Sequence, residues 1–485
     1  MKSPPNLLVI LSDQHQARAL SCADNAVVKT PHLDALAARG TRFTNAYTPS
    51  PICVPARAAF ATGRYVHEIG RWDNAMPYTG TPKGWSHALR EKGIRVESIG
   101  KLHYRDQRDD TGFDVQHIPM HVADGVGMVW GSIRKEDERA YRKDVRMMGD
   151  YVGPGESDYT RYDAAVTART CDWLAEAGEK SAPWCLYVGL VAPHHPLVSP
   201  QDFFDLYPLD NLPPGKLHPK DGYQQHPWIE KMANSMIGED GWNSQEERRT
   251  AIAAYYGLTS WMDFNVGRIV AALKASGQFD DTTIIYSSDH GENLGARGLW
   301  GKMNMYEESA AIPLIVAPAP ASQLSWPKTC TTTTSLLDIS ETILDHFAAE
   351  LPRGRLKNRP GQSLYDLAEQ APDPGRAVFS EYHAIGAVSG AFMLRKGPWK
   401  LIEYVGFDPE LFNLETDPEE TGDLAQDPDH AEVLTEMMRE IRQICDPGTV
   451  NAAAFAAQET MIKNYGGKDI AATLGAPSAT PPPKS

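Results

Sequence analysis

The chain has 485 residues, of which 42% are hydrophobic and 23% are charged, as in a soluble globular protein. This length allows two or three average domains, or one large α/β domain with an appendage. The net charge of -16 argues against nucleic acid or an anionic membrane as the main partner. It leaves an anionic small molecule open, because a few local cations can dominate a pocket.

The first apolar run, residues 7–11, is too short for a signal sequence or a membrane span. It predicts a buried strand in a cytoplasmic protein. The six cysteines are widely scattered, with no C-x-x-C pair and no disulfide-like spacing, which is consistent with a reducing compartment.

Four continuous apolar runs are typical of strands that are buried on both faces: residues 6–11, 95–99, 184–191 and 283–286. Helical patterns cover residues 31–39, 162–177 and 246–276, and a glycine follows each of them. Strands that alternate with helices predict an α/β sheet covered by helices.

Polar, chemically capable residues follow each predicted strand. Ligands of α/β sheets gather outside the carboxyl ends of the strands, so these four groups of residues could meet in one cleft. The groups are Asp13 with Gln14, Lys101 with His103, His194 with His195, and Asp289 with His290.

Asp13, Gln14, Asp289 and His290 offer two carboxylates, an amide oxygen and an imidazole to a divalent cation. Oxygen ligands favour Ca²⁺, Mg²⁺ or Mn²⁺, and the imidazole shifts the preference toward Mn²⁺. Spacing alone supports a second interpretation equally well. In that interpretation Asp13 caps a helix and the other pair of residues forms a turn.

Lys101, His103, His194 and Lys302 form a second candidate set. Lysines and histidines that converge on one cleft would bind an oxyanion and transfer protons. The alternative is that each is a surface residue or a satisfied polar residue. We interpret His195 as a solvent-facing bystander.

The stretch C-V-P-A-R at residues 53–57 precedes a helix-like run. Pro55 suits the first helical turn, which places Cys53 just outside the helix N-terminus, where free N–H groups favour an anion. Arg57, one turn on, could point back to the same place. An unmodified cysteine there would have a lowered pKa, which keeps a cysteine hydrolase open. A neighbouring cation site of oxygen ligands instead favours an oxygen nucleophile at position 53.

The pattern changes after about residue 370. Residues 377–382 and 392–404 are predicted strands, the second with a turn at 396–398, and residues 431–444 are a predicted helix. We therefore predict a catalytic α/β domain over 1–372 and a small α+β domain over 373–465. Residues 466–485 are rich in Ala, Pro and Gly and predict a flexible tail or an arm onto another subunit.

These motifs together resemble those of the formylglycine-dependent sulfatases of the alkaline phosphatase superfamily. C-V-P-A-R resembles the C-x-P-S/A-R signature, in which an activating enzyme oxidises the cysteine to formylglycine. The family's other elements are matched in order by PNLLVILSDQ, GKLHY, APHHPL and SSDHGENLGARGLWGKMNMYEESAAIPL. FNLETDPEETGDLA resembles the closing C-terminal element, with Asp423 where Asn is usual. Within the family, the chain is most similar to choline sulfatase-like members.

The resemblance implies an alkaline phosphatase-like fold, with a large, mostly parallel mixed sheet sandwiched by helices and a smaller C-terminal α+β domain. It implies that Cys53 becomes 3-oxoalanine (formylglycine) through a formylglycine-generating enzyme, and that Arg57 helps to hold its hydrate. It also implies one divalent metal ion, Ca²⁺ or Mn²⁺ before Mg²⁺. The implied ligands are Asp13, Gln14, Asp289, His290 and the oxygen on residue 53.

The resemblance assigns the remaining roles as follows. Lys101 and Lys302 offset charge on the sulfuryl oxygens, and His194 with Lys302 stabilises or protonates the leaving alcohol. His103 takes the proton from the second hydroxyl of residue 53, and Asn74 hydrogen-bonds a substrate oxygen.

We therefore predict hydrolysis of a small-molecule sulfate monoester, an alkyl or aryl sulfate including choline sulfate-like compounds, by a homo-oligomer (dimer or tetramer). A phosphonate monoester or phosphodiester hydrolase is the alternative that uses the same site. The Lys101–His103 pair suits a sulfate pocket better. A non-catalytic binder of sulfo-ligands is the alternative if Cys53 stays a thiol.

Overall fold

The computed structural model describes residues 6–135, 142–146, 148–178, 182–213, 215–351, 359–476 and 479–483. Its centre is an eight-stranded sheet in which two of the neighbouring strand pairs are antiparallel and the other pairs are parallel. This confirms the predicted mostly parallel mixed sheet. Across the sheet the strands are Thr329–Cys330, Thr41–Phe43, Leu314–Ala317, Thr282–Ser288, Asn6–Asp13, Trp184–Pro193, Arg95–Lys101 and Val115–Met120.

Helices cover both faces of this sheet. Every residue of the central strand Asn6–Asp13 is buried. Because successive side chains point to opposite faces, Leu8 and Ile10 enter one core while Leu7 and Val9 enter another. The helices on the first side are Pro31–Arg39, Asp158–Gly178 and Gln245–Ala275, and those on the second are Cys53–Thr62, Trp85–Glu91 and Leu336–His346.

The three helices expected from hydrophobic spacing are present on the first side, with ends that differ by four residues or fewer. In the described part of the chain, no helix combines the length and the apolar character that a membrane crossing needs. Shorter helices are Val66–Ile69, Gln201–Phe204, Pro227–Ala233, Glu307–Ala310 and Leu364–Glu369. Short strand pairs join Ala46–Tyr47 to Thr334–Ser335, Gly153–Pro154 to Val198–Ser199, and Arg142–Arg146 to Met236–Ile237.

The C-terminal part contains a four-stranded antiparallel sheet and helices, as predicted. Its strands, in chain order across the sheet, are Ala377–Tyr382, Ala391–Lys396, Trp399–Tyr404 and Glu410–Asn413. Helix Ala431–Ile444 has the predicted bounds. Helices Pro447–Asn464 and Lys468–Ala471 were not predicted, although Asp446 caps the first of these by accepting a hydrogen bond from the N–H of Thr449 at 2.7 Å.

This C-terminal sheet packs directly on the large domain. Phe379 and Phe392 share a core with Ala59 and Leu337, which belong to helices of the large domain. The Lys400 ammonium lies between two carboxylates, 2.9 Å from Glu307 and 2.7 Å from Glu420. The two parts are thus joined by apolar and ionic contacts, and the boundary after residue 372 stays a prediction.

Candidate active site

Two adjacent parallel strands bring two carboxylates together. Strand Asn6–Asp13 pairs with Thr282–Ser288 so that Ser12 lies opposite Ser288. The next residues, Asp13 and Asp289, therefore reach the same edge of the sheet. Both side chains are completely buried.

Asp13, Cys53, Asp289 and His290 form a buried group that we call the candidate metal cluster, with potential ligand atoms all within 4.8 Å of one another. The Cys53 Sγ atom lies 3.1 Å from His290 Nε2 and 3.7 Å from Asp13 Oδ1. His290 Nδ1 lies 3.0 Å from the carbonyl oxygen of Gly291, which assigns the proton to Nδ1 and leaves the Nε2 lone pair facing the cluster. Burial lowers the pKa of His290 to about 4, so this imidazole is neutral at neutral pH.

Each carboxylate turns one oxygen toward the cluster and the other toward a cation. The Oδ1 atoms of Asp13 and Asp289 both lie 3.6 Å from His290 Nε2. Asp13 Oδ2 lies 2.5 Å from the Lys101 ammonium, and Asp289 Oδ2 accepts from Arg57 Nε at 2.8 Å. Burial opposes charge on Asp13, but the cations of Lys101 and Arg57 outweigh it and hold the pKa of Asp13 well below its usual value. Two carboxylates and a neutral imidazole are a donor set that suits a hard divalent cation.

Arg57 lies on the carboxylate side of this cluster. Its guanidinium contacts Asp289, and its Nη1 also donates to the Tyr187 hydroxyl at 2.9 Å and to the Lys101 carbonyl at 3.0 Å. Nη2 lies 3.4 Å from Asp13 Oδ2. Arg57 thus compensates both carboxylates, and its expected role toward the group on residue 53 stays a prediction.

Gln14 is oriented by a glutamate that the sequence analysis did not single out. Gln14 has φ of 66°, and its backbone N–H donates to Asp289 Oδ1 at 3.2 Å. Its Nε2 donates to the buried carboxylate of Glu292. Oε1 therefore points away from Glu292, and it accepts from Lys302 Nζ at 2.5 Å. Glu292 lies within the quoted S-S-D-H-G-E-N motif, so its signal was present but unassigned.

Lys302 and His194 form the second half of the site. Lys302 Nζ lies 2.9 Å from His194 Nε2, and His194 Nδ1 lies 2.6 Å from the carbonyl oxygen of His195. This pattern describes a neutral His194 that accepts from the ammonium and donates to a carbonyl. Burial, with His195 and Lys302 close by, holds the pKa of His194 well below its usual value.

The interpretation of His195 as solvent-facing is wrong. Its side chain is only 6% exposed, and its ring stacks on His194 with 4.0 Å between centroids. In the strand that precedes this loop, the Asp163 carboxylate accepts hydrogen bonds from the N–H groups of Val191 and Ala192, each at 2.8 Å.

His103 has φ of 58° and one ring nitrogen engaged by a distant residue. Its Nε2 lies 2.8 Å from the hydroxyl oxygen of Thr480. Its Nδ1 is buried and has no hydrogen-bond partner among the described residues. Burial and then Lys101 hold the pKa of His103 well below its usual value, so the ring is neutral and has a free nitrogen. Thr480 was missed because nothing in the Ala/Pro-rich stretch around it indicates a partner.

Asn74 lies beside residue 53 at the start of helix Cys53–Thr62. Its Oδ1 accepts from the N–H of Val54 at 3.1 Å, which satisfies a free donor of the first helical turn. Its Nδ2 lies 3.8 Å from the sulfur of Met128. The expected contact of Asn74 with substrate stays a prediction.

Cys53 differs from expectation in two respects. It is the first residue of its helix rather than the residue outside it. Burial, followed by the charge of Asp13, raises the pKa of the thiol to about 12, whereas the helix N-terminus suggested a lowered value. The thiol is therefore protonated at neutral pH, which disfavours an unmodified cysteine nucleophile.

Comparison with known proteins identifies the family. The profile described as Sulfatase matches residues 5–349, and the profile described as N-sulphoglucosamine sulphohydrolase, C-terminal, matches residues 295–446. The chain is 33% identical over 444 residues to choline-sulfatase of Rhizobium meliloti, covering 87% of this chain and 83% of that protein. It is 30% identical over 458 residues to human (Homo sapiens) arylsulfatase K, covering 87% and 79%.

A solved structure shows the same overall fold. Phosphonate monoester hydrolase from Silicibacter pomeroyi superposes with a TM-score of 0.72 at 26% identity, covering 90% of this chain and 94% of that one. Together with the profile matches, these similarities agree with the order of motifs and with the alkaline phosphatase-like architecture described above. The chain belongs to the sulfatase family and is a sulfuric ester hydrolase.

Proposed function

We propose that this protein hydrolyses alkyl or aryl sulfate monoesters, including choline sulfate-like compounds, by means of formylglycine formed from Cys53. The observation that carries the proposal is the position of Cys53 Sγ, 3.1 Å from His290 Nε2 within the candidate metal cluster. An oxygen that replaced this sulfur would lie among metal-ligand atoms. The similarity to choline-sulfatase of Rhizobium meliloti supports the substrate class.

The residues present fit one divalent ion, Ca²⁺ or Mn²⁺ before Mg²⁺. The donors would be Asp13, Gln14, Asp289, His290 and the oxygen on residue 53. When bound, the ion would lower the pKa of a hydroxyl on residue 53 and draw charge from the sulfuryl oxygens. Arg57 and Lys101 would hold the two carboxylates in the orientation that the structure describes.

In the first step, a hydroxyl of hydrated residue 53, its pKa lowered by the ion, would lose its proton to solvent and attack sulfur, and the bond from sulfur to the alcohol oxygen would break with its electron pair on that oxygen. Lys302 and His194 are one hydrogen-bonded pair, 2.9 Å apart, and supply the proton that the leaving alcohol takes up. The ammonium groups of Lys101 and Lys302 offset the charge that develops on the sulfuryl oxygens.

In the second step, His103 takes a proton from the other hydroxyl of residue 53, as its neutral state allows. The C=O bond of the aldehyde forms, and sulfate departs with the electron pair of the bond that breaks. Water then restores the hydrate. A serine could accept the sulfuryl group, but it has no second hydroxyl with which to expel sulfate.

The test is to produce the chain with and without a formylglycine-generating enzyme and to analyse the peptide over residues 42–64 by mass spectrometry. We expect activity on p-nitrophenyl sulfate to follow the fraction of formylglycine. Cys53→Ser should release at most one p-nitrophenol per site and keep the sulfate, whereas Cys53→Ala should release none. Full turnover by a chain in which residue 53 is an unaltered thiol would overturn the mechanism.

Phosphonate monoester or phosphodiester hydrolysis at the same site is the second candidate function. The similarity to phosphonate monoester hydrolase from Silicibacter pomeroyi favours it. A comparison of kcat/KM for an aryl sulfate and a phenyl phosphonate monoester separates the two. A much faster phosphonate reaction would reverse our ranking. Tight sulfate-ester binding without turnover by a chain from the native host in which Cys53 is an unaltered thiol would indicate a non-catalytic binder.

Three further predictions accompany this proposal. The maturation partner is a formylglycine-generating enzyme, which the residue-53 mass tests. The compartment is the cytoplasm, which is consistent with the six cysteines being outside any disulfide bond and is tested by cell fractionation. The assembly is a homodimer or homotetramer, which light scattering after gel filtration measures.

A further inference from the structure

The chain beyond helix Lys468–Ala471 packs on the segment that contains Gly127 and Trp130. Gly475 has φ of 83°, and a Cβ atom there would lie 1.5 Å from the carbonyl oxygen of Gly127, so the two backbones are in direct contact. Trp130 Nε1 donates to the carbonyl oxygen of Ala476 at 3.0 Å. Ala471 completes a small core with Ala75, Val129 and Ile133. The described part of this segment is therefore held in place by specific contacts.

Thr480 lies at the point where this segment meets the active site. Its side chain is buried, and its carbonyl oxygen accepts from the Tyr159 hydroxyl at 2.5 Å. Its own hydroxyl oxygen lies 2.8 Å from His103 Nε2. The Tyr159 ring also packs edge-on against His194, with 5.8 Å between centroids. Tyr159 thus contacts both Thr480, which bonds to His103, and His194, the other histidine to which we assign proton transfer.

The hydrogen bond between His103 Nε2 and the Thr480 hydroxyl bears on which nitrogen of His103 can act as a base. A neutral imidazole carries a proton on one nitrogen and a lone pair on the other. If Nε2–H donates to the Thr480 hydroxyl oxygen, the lone pair is on Nδ1, the buried nitrogen without a partner among the described residues. Partners of this kind fix the tautomer and the ring orientation of functional histidines.

We propose that Thr480 is a positioning residue that holds His103 as the base of the sulfate-release step. This inference rests on the proposed function and adds a residue to it. In that step, His103 Nδ1 takes the proton of the free hydroxyl on Cβ of residue 53, and the oxygen's electron pair forms the C=O bond. The Cβ–O bond to the sulfuryl group breaks, and its electron pair leaves with sulfate. Nothing in the first step requires Thr480.

The test compares wild type with Thr480→Val, which keeps the shape and removes the hydroxyl, and with Thr480→Ser, which restores it. Thr473→Val, at an exposed threonine of the same segment, is the matched control. Rapid-quench kinetics with p-nitrophenyl sulfate measure the first turnover and the steady state. Mass spectrometry measures sulfate retained on residue 53, and thermal unfolding checks that each variant is folded.

We expect kcat of Thr480→Val to fall about 10- to 100-fold, with a first turnover like that of wild type. One p-nitrophenol per site should appear in a burst while sulfate accumulates on residue 53. Thr480→Ser should behave like wild type. An unchanged kcat in Thr480→Val, a first turnover slowed as much as kcat, or an equal loss in Thr480→Ser would overturn the positioning role.

These outcomes are distinct from failure of the proposed function. A wild-type chain that carries formylglycine and hydrolyses no sulfate ester would overturn the proposed function, and the role of Thr480 with it. If wild type is active while Thr480→Val shows no burst and turns over at the same rate, only the positioning role is wrong.

Discussion

The candidate metal cluster and the segment around Thr480 meet at the same site, and they are built in different ways. Asp13 and Asp289 extend two hydrogen-bonded parallel strands, so regular backbone pairing brings them together. Thr480 reaches His103 across 377 positions of sequence through an irregular segment held by side-chain contacts. The sheet thus places the two carboxylates, whereas under our proposal an irregular C-terminal segment selects the basic nitrogen of His103.

The largest effect is expected from a substitution in the candidate metal cluster, whose two aspartates are positioned by paired strands. Asp13→Asn removes a carboxylate charge and leaves Lys101 and Arg57 with one charged partner fewer in a buried site. Loss of several kcal/mol of stabilisation of charge in the transition state should lower kcat/KM by about a thousand-fold or more.

Isothermal titration with Mn²⁺ and Ca²⁺ should show weaker metal binding by the same Asp13→Asn variant. Asp24→Asn, at an exposed aspartate, is the control. If the two variants had the same activity and the same metal affinity, Asp13 would not belong to the metal site.

The second prediction concerns how the C-terminal sheet is attached. Glu381 of strand Ala377–Tyr382 is buried, and its carboxylate lies 2.8 Å from His67 Nδ1 of the large domain. Burial opposes the charge, but His67 and His383 outweigh it and lower the pKa of Glu381 to about 2 from 4.5. Because the pKa of Glu381 is lower in the folded than in the unfolded state, its contribution to the free energy of unfolding is complete above about pH 4.5. That contribution is lost as the pH falls toward about 2.

The contribution of Glu381 amounts to about 3 kcal/mol of unfolding free energy. Glu381→Gln should therefore reduce stability at neutral pH and flatten its acid dependence, as measured by urea unfolding at a series of pH values. Exposed Glu415→Gln should leave the profile unchanged. An acid profile of Glu381→Gln that matches wild type would show that this ion pair does not stabilise the attachment.

The smallest effect is expected at Glu292, which orients the side chain of Gln14 beside the candidate metal cluster. Its carboxylate accepts from Gln14 Nε2 and from the N–H of Gly301 at 2.7 Å, which directs Gln14 Oε1 away from it. Glu292→Gln should weaken metal binding by about 10- to 100-fold, as is typical when a residue that orients a ligand is changed. Chelator competition measures this, with exposed Glu350→Gln as control. Equal affinity in the two variants would show that Gln14 is oriented by other contacts.

Much of the fold and of the candidate metal cluster could be predicted because the sequence patterns that indicate them are local. Runs of apolar residues followed by Asp13 or Asp289 indicate strand ends, and parallel strands share one edge. Thr480 could not be predicted, since no periodicity or motif connects it to His103. His195 was misjudged because its burial, with its ring stacked on His194, is set by tertiary packing that the P-H-H-P motif does not show. The pKa of Cys53 was misjudged because desolvation exceeds the effect of one helix end.

The pairing of Ser12 with Ser288 has a consequence for how this enzyme can change over generations. Because backbone hydrogen bonds set the alignment, substitutions along either strand that keep it packed would leave Asp13 and Asp289 at the same end of the sheet. A single-residue insertion or deletion within either strand would reverse the direction of every side chain beyond it and separate the pair. We therefore expect length changes in descendants of this gene to be tolerated in surface connections and to inactivate the protein when they fall between residues 6 and 13 or between residues 282 and 289.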